Sequence, residues 1–375
     1  MKIGILKLPL YTNYGGILQA YALQTILERM GHNVVIFDTP KFLRLPLWRY
    51  PIVYPKRIIQ KYILKKGNRI LSEQYKNKIY PIVTQHIITF INQYINRLEV
   101  SDFKNLSNYD FDAIIVGSDQ IWRPIYYPKI ENAFLKFAEQ WNIKRISYAA
   151  SFGTDKWEYS RKQTKQCARL VQKFDFVSVR EESGVQFCKK YFNIAASLVL
   201  DPTMLLDKKD YINLFLKSEV QKSPGNLLVY ILDETPDINI LVDTISKKHK
   251  LIPFRVNSRI ENSKALVSDC IQPPVEQWLR GFYDAELIIT DSFHACVFSI
   301  IFGKPFLVVG NKHRGLSRIN TLLNYFSLQK RLIVDYTSFC SDVLFNYQTQ
   351  EVLDKLDLLR KQSIGLLYES LEREV

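Results

Sequence analysis

Residues 286–310, ELIITDSFHACVFSIIFGKPFLVVG, leave few choices of fold. Glu286–Thr290 is short, apolar and rich in β-branched side chains, which fits a strand covered on both faces. Asp291 and Ser292 are helix N-cap types, and Phe293–Phe302 is apolar apart from His294 and Ser299. Gly303 stands where a helix C-terminus favours glycine, and Lys304-Pro305 leads into a second apolar strand, Phe306–Gly310. A strand, a helix and a strand of this kind require a parallel sheet with helices packed on it. The same pattern puts His294 in the first helical turn at the carboxyl end of a strand, the edge where open α/β sheets bind ligands.

A histidine between Phe293 and Ala295 can be a core residue, but first-turn residues after a strand face the crevice. The free N–H groups there also favour an anion. Beyond the next strand, residues 311–318 carry Lys312, His313, Arg314 and Arg318. One histidine facing several cations points to a phosphorylated or carboxylated substrate.

The alternation recurs along the chain. Strands are expected at 2–8, 32–38, 111–116, 145–148, 174–179 and 198–201, then at 227–232 and 252–256. Helices are expected at 17–30, 238–248 and 275–280. The polar stretch 217–226, with Pro224 and Gly225, reads as a linker. The expected architecture is α/β, with two Rossmann-like domains, 1–216 and 226–346, facing across a cleft. A charged amphipathic helix over 347–375 would pack back on the first domain, and 375 residues suffice for such a pair.

Several strand exits carry candidate ligand contacts. In PLYTNYGG, residues 9–16, Gly15 and Gly16 form either a tight turn or, with Asn13 and Tyr14, part of a binding surface. Ser118, Asp119 and Gln120 follow Gly117 at another exit, and Arg180 begins REESG at a third. No GxGxxG, Walker A, GxSxG or HExxH motif occurs, which removes the usual dinucleotide, P-loop and hydrolase readings. The five cysteines have no CxxC spacing and suit a reducing compartment, and no metal-ligand spacing appears. The first residues read as a strand, no run of 18 apolar residues occurs, and a cytoplasmic location is expected.

Charge is uneven. Residues 41–97 hold 12 Lys/Arg and only Glu73 on the acidic side, so they supply +11 of the net +14. They also carry Trp48, Tyr50, Tyr54, Tyr62, Tyr75 and Tyr80. This segment, about 41–98, interrupts the first domain and looks helical in its later part. No RNA- or DNA-binding signature accompanies it, so nucleic acid is not expected. The two readings are a solvated helical excursion and a surface for anionic membrane, which would make the protein peripheral at the inner face of the cell membrane.

Taken together, TNYGGILQAYAL, VGSDQIW, SYAASFG, VSVREESG, LDPTML and TDSFHACVFSIIFGKPFLVV resemble the polysaccharide pyruvyl transferase family. The resemblance spans nearly the whole chain except the basic insertion. It implies a GT-B-like fold, phosphoenolpyruvate as co-substrate, no further cofactor, and formation of a pyruvate ketal on a sugar in bacterial surface polysaccharide biosynthesis. The acceptor would be a sugar or a lipid-linked oligosaccharide. It makes His294 the expected general acid and Arg180 a donor ligand. Many members carry arginine two residues before the histidine, where this chain has Ser292. Lys312, Arg314 or Arg318 would then stand in for it beside the donor. Asp119 or Asp291 would accept the sugar hydroxyl's proton, although Asp291 equally reads as a helix cap. Asn13, Tyr14, Gly15, Gly16, Ser118 and Gln120 are the expected acceptor contacts. The alternatives are a GT-B glycosyltransferase using a nucleotide-sugar and a non-catalytic carbohydrate-binding protein.

Overall fold

The computed structural model describes residues 1–39, 45–64, 69–260, 265–310, 316–334 and 344–372. Among them two parallel sheets form. The first contains β1 (Lys2–Leu6), β2 (Asn33–Asp38), β3 (Arg97–Glu99), β4 (Ala113–Gly117), β5 (Lys144–Ala150), β6 (Phe176–Val179) and β7 (Ser197–Leu198), in the order β3-β2-β1-β4-β5-β6-β7. The second contains β8 (Leu227–Tyr230), β9 (Pro253–Phe254), β10 (Leu287–Thr290), β11 (Phe306–Val309) and β12 (Leu332–Ile333), in the order β12-β11-β10-β8-β9. Every residue of β4, β8, β10 and β11 is buried, so their continuous apolar runs reflect helices on both sheet faces.

Strand order decides where a site can lie. In the first sheet the winding reverses at β1 and β4, and in the second at β8 and β10. A crevice opens at such a reversal because the connections leave in opposite directions. The four segments that follow these strands face one another across the space between the sheets.

Helices α1 (Tyr14–Arg29), α2 (Tyr50–Tyr62), α3 (Ser72–Val83), α4 (Gln85–Tyr94), α5 (Arg161–Val171), α6 (Glu182–Phe187) and α7 (Lys208–Lys217) accompany the first sheet. The second has α8 (Pro236–His249), α9 (Val275–Asp284), α10 (Phe293–Ile301) and α11 (Ser317–Tyr325), and α12 (Thr349–Glu372) closes the described chain. All of α10 is buried. It packs on α9 through Trp278 and Phe298, ring centroids 5.0 Å apart and edge to face. The long α12 touches α10 and also reaches back to the first sheet's side. There Ser363 Oγ accepts from Leu200 N at 3.1 Å, and Arg360 Nε donates to Met204 O at 2.9 Å.

Five local expectations change. The first strand stops at Leu6, because Lys7 turns inward and its Nζ donates to Gly16 O. Gly15 and Gly16 lie in the first turn of α1 without positive φ, so they form neither loop nor tight turn. The strand expected at 198–201 ends at Leu198, and Asp201 instead caps a short turn over Pro202–Met204. The strand expected at 252–256 shortens to Pro253–Phe254. Helix begins earlier in the insertion than the pattern suggested, and the insertion leads to β3, which adds an edge strand beside β2.

Candidate functional site

A cleft of about 1260 Å³ separates the carboxyl ends of the two sheets. The exits of β1 and β4 supply Asn13, Tyr14, Gly15, Asp119 and Gln120. From the other side, the exits of β8 and β10 supply Asp233, Glu234, Asp291, Ser292 and His294, and α11 adds Arg318.

Asp119, His294 and Arg318 line the cleft, and behind them Arg180 and Asp201 line a small adjoining cavity that Arg318 also borders; the five groups come from five elements. Arg180, at the end of β6, is buried, and its Nη1 donates to Asp201 Oδ2 at 2.6 Å. Its Nη2 lies 3.6 Å from Asp119 Oδ1. Asp201 is held by Gln19 Nε2 at 2.6 Å and by the N–H and hydroxyl of Thr203 at 3.1 and 2.7 Å. His294 Nε2 stands 3.8 Å from the same Asp201 Oδ2. Asp119 has φ 59°, a left-handed conformation that aspartate tolerates better than most residues. Its Oδ2 accepts from Asn13 Nδ2 at 3.2 Å.

Arg180 and Arg318 come from different domains, yet both guanidiniums flank the ring of Phe293, 4.5 and 5.7 Å from its centroid. The docking of α11 on α6 brings them together. Ser183 Oγ and Ser317 Oγ lie 2.7 Å apart, and Glu182 N donates to Thr321 Oγ1 at 3.2 Å. Burial, and then the neighbouring Arg180, push Arg318 down to about 10. Two like charges around one ring in a buried site favour an anion that both can reach. Arg180 Nε and Nη2 and His294 Nε2 are buried without a hydrogen-bond partner among the described residues. Such donors cost free energy unless something binds them.

The proton inventory follows from the same charges. Burial pushes His294 down to about 4, Arg180 and Arg318 add to that, and Asp201 and Asp119 oppose it. Burial would raise Asp119, but Arg180, His294, Arg318 and Lys7 outweigh it and hold the carboxyl below its ordinary 3.8. Asp201 is likewise held down against burial, mainly by Arg180. Lys7, beneath the cleft, falls to about 8 through burial, against the pull of Asp119, Asp38 and Asp201. At neutral pH the unliganded site therefore holds two cationic guanidiniums, two carboxylates and a neutral imidazole.

Of the remaining sequence candidates, Ser292 lines the cleft as the residue before α10. Asp291 accepts from Leu232 N and Asp233 N at 2.8 and 3.1 Å, which ties it to the exit of β8. Ser118 lies behind the cleft wall, where its Oγ accepts from Gln19 Nε2 at 2.9 Å. Gly16 is half-buried beside Asn13 and Asp119 without lining the cleft, while Gly15 packs against His294 so closely that a Cβ there would meet the imidazole Nδ1 at 2.0 Å. Lys312 and Arg314 fall outside the described residues.

The structure adds groups that the sequence reading did not assign to the site: Asp201, Gln19, Lys7, Gln272 and Trp278. The DPTM turn after β7 was the available signal for Asp201, since an acidic cap at a strand exit has the same position as Asp119. On the second domain's wall, Asn257 Oδ1, Gln272 Oε1 and Trp278 Nε1 are buried and lack partners among the described residues.

Two parallel sheets whose strand-order reversals face each other across one cleft define a GT-B-like α/β protein. The UDP-GlcNAc 2-epimerase from Neisseria meningitidis bound to UDP-GlcNAc shares this fold, with TM-score 0.51, 10% identity and coverage of 99% of each chain. So does UGT89C1 from Arabidopsis thaliana complexed with UDP-L-rhamnose, with TM-score 0.50, 11% identity and coverage of 99% of this chain and 97% of that one. No curated protein matches the chain. The family model of polysaccharide pyruvyl transferase matches residues 13–313, and the chain belongs to that family.

Proposed function

We propose that the protein transfers the enolpyruvyl group of phosphoenolpyruvate to a sugar and closes it as a pyruvate ketal. The observation that carries this reading is the buried, incompletely bonded Arg180 beside Arg318 and His294. A small donor with a carboxylate and a phosphate matches two guanidiniums. Its negative charge offsets the cations that depress His294, so binding raises the imidazole pKa and recruits a proton to it. His294 then protonates the donor's methylene carbon, which leaves C2 electrophilic. Asp119, held ionised, accepts the proton of an attacking sugar hydroxyl. Phosphate departs with the C2–O electron pair, and a second hydroxyl adds at C2 and gives its proton to the departing phosphate, which closes the ketal. A positioned proton donor contributes about 10²–10⁴-fold. The acceptors Asn257 Oδ1 and Gln272 Oε1 and the donor Trp278 Nε1 suit the hydroxyls of a neutral sugar on the opposite wall.

Thermal stabilisation and calorimetry with phosphoenolpyruvate, and separately with UDP-sugars, test the donor. Saturable binding of phosphoenolpyruvate that Arg180→Lys weakens is expected. Binding of UDP-sugars with none of phosphoenolpyruvate would overturn the reading in favour of a nucleotide-sugar enzyme.

A further inference from the structure

We propose that the solvent-facing side of α2 docks the enzyme on an anionic lipid bilayer. No residue of α2 is buried. Val53, Tyr54, Arg57 and Gln60 are half-buried on one side of the helix, and Arg57 pairs with Glu73 at 2.6 Å. The other side presents Ile52, Ile59, Tyr62 and Ile63, with exposures of 63%, 48%, 66% and 71%. These positions fall on one stripe at helical spacing. An apolar stripe of this size, left in water on a monomer, marks an interaction surface.

Charge selects the partner. Lys56 lies within the stripe, and Lys61, on the other side of the helix, adds to the positive charge of the segment; both are exposed. The insertion's acidic residue, Glu73, is already engaged by Arg57, so nothing acidic on it repels an anionic surface. Exposed isoleucines around a lysine match the boundary between headgroups and acyl chains. Nucleic acid would use the cations but leave the isoleucines in water. Among the described residues no helix is long and apolar enough to cross a membrane, so the contact is lateral.

Position gives the contact a purpose. Tyr80 of α3 stacks on Tyr11 at 4.5 Å, next to the cleft residues Thr12 and Asn13. Val83 O accepts from Gln272 N at 2.8 Å, which ties the insertion to the opposite wall. The insertion that carries α2 thus borders the cleft, and docking it on a bilayer would bring the enzyme to a lipid-anchored acceptor. That consequence, unlike the docking, rests on the transferase reading.

Co-sedimentation of the full chain with phosphatidylglycerol-containing and pure phosphatidylcholine vesicles tests the docking. Partitioning onto the anionic vesicles should be at least about tenfold stronger. It should fade as the Debye length shrinks from about 10 Å at 0.1 M salt to about 3 Å at 1 M. Lys56→Gln should lower it about fivefold, the effect of one basic residue at the surface. Ile52→Asp with Ile59→Asp and Ile63→Asp should abolish it while leaving the melting temperature and phosphoenolpyruvate binding unchanged. No sedimentation, equal sedimentation with both lipids, or full binding by the isoleucine variant would overturn the proposal. Self-association that the isoleucine variant abolishes, without lipid binding, would make the face a protein interface instead. None of these readouts depends on catalysis, so failure here is distinct from failure of the donor assignment.

Discussion

Gly15→Ala is a small substitution with a large expected consequence. Gly15 belongs to the first domain and His294 to the second, and their contact is where the two domains approach through the site. A Cβ at residue 15 would lie 2.0, 2.2 and 2.4 Å from Nδ1, Cγ and Cε1 of the imidazole. An ordinary carbon contact is about 3.5–4.0 Å, so the ring must retreat by about 1.5 Å or the domains must part. Alanine is the better helix former by about 1 kcal/mol, and overpacking costs about 1–3 kcal/mol. Stability should therefore fall by no more than about 2 kcal/mol, a few degrees in melting temperature for a protein of this size. A displacement of 1 Å at a reacting group can cost about 10²-fold in rate, and a larger loss is expected here. The chain has only five histidines, so the His294 ring signal can be assigned by NMR from single substitutions. Its chemical shift should move, its pKa should rise from about 4 as the environment opens, and transfer should fall at least about 100-fold. An unchanged His294 signal together with full activity would refute the argument.

His294→Gln should abolish transfer and also reduce sensitivity to acid. His294 has a folded pKa of about 4 against an ordinary 6.5, so the unfolded chain takes up a proton that the folded chain refuses, and about 3 kcal/mol of stability is lost as pH falls from 6.5 to 4. The lowered carboxyls of Asp119 and Asp201 act in a different window, below about 4, so denaturation at pH 7 and pH 4.5 isolates the histidine. Binding of phosphoenolpyruvate should take up a proton, with affinity falling as pH rises through the bound-state pKa of His294; calorimetry in buffers of different ionisation heat would show no uptake if the imidazole stays neutral. Arg180→Lys should weaken donor binding about 10–100-fold by losing a bidentate contact, whereas Arg180→Met should cost about 3–5 kcal/mol of stability by stranding Asp119 and Asp201, as urea denaturation would measure.

The sequence by itself determined the strand–helix alternation and the residues at the strand exits. Hydrophobic runs bounded by caps and glycines are local signals, and they placed His294, Arg180 and Asp119 at sheet edges. Boundaries were less legible where backbone bonding rather than side-chain pattern decided them. Asp201 continued an apolar run in sequence, yet it leaves the strand because the following proline has no N–H to donate and its carboxylate caps the next turn. Ser118 and Asp119 are neighbours at the same exit, but Ser118 turns behind the wall toward Gln19 while Asp119 enters the cleft. The left-handed φ of Asp119 belongs to the folded backbone and leaves no periodic trace in the sequence. Which exits meet was decided only in three dimensions. Arg180 and Arg318 meet at the ring of Phe293, and Gly15 touches His294, because two separately wound sheets dock with their reversals facing. That docking depends on side chains far apart in the chain, such as Ser183 with Ser317 and α12 with both sheets, whereas periodicity reports only on neighbours along one element.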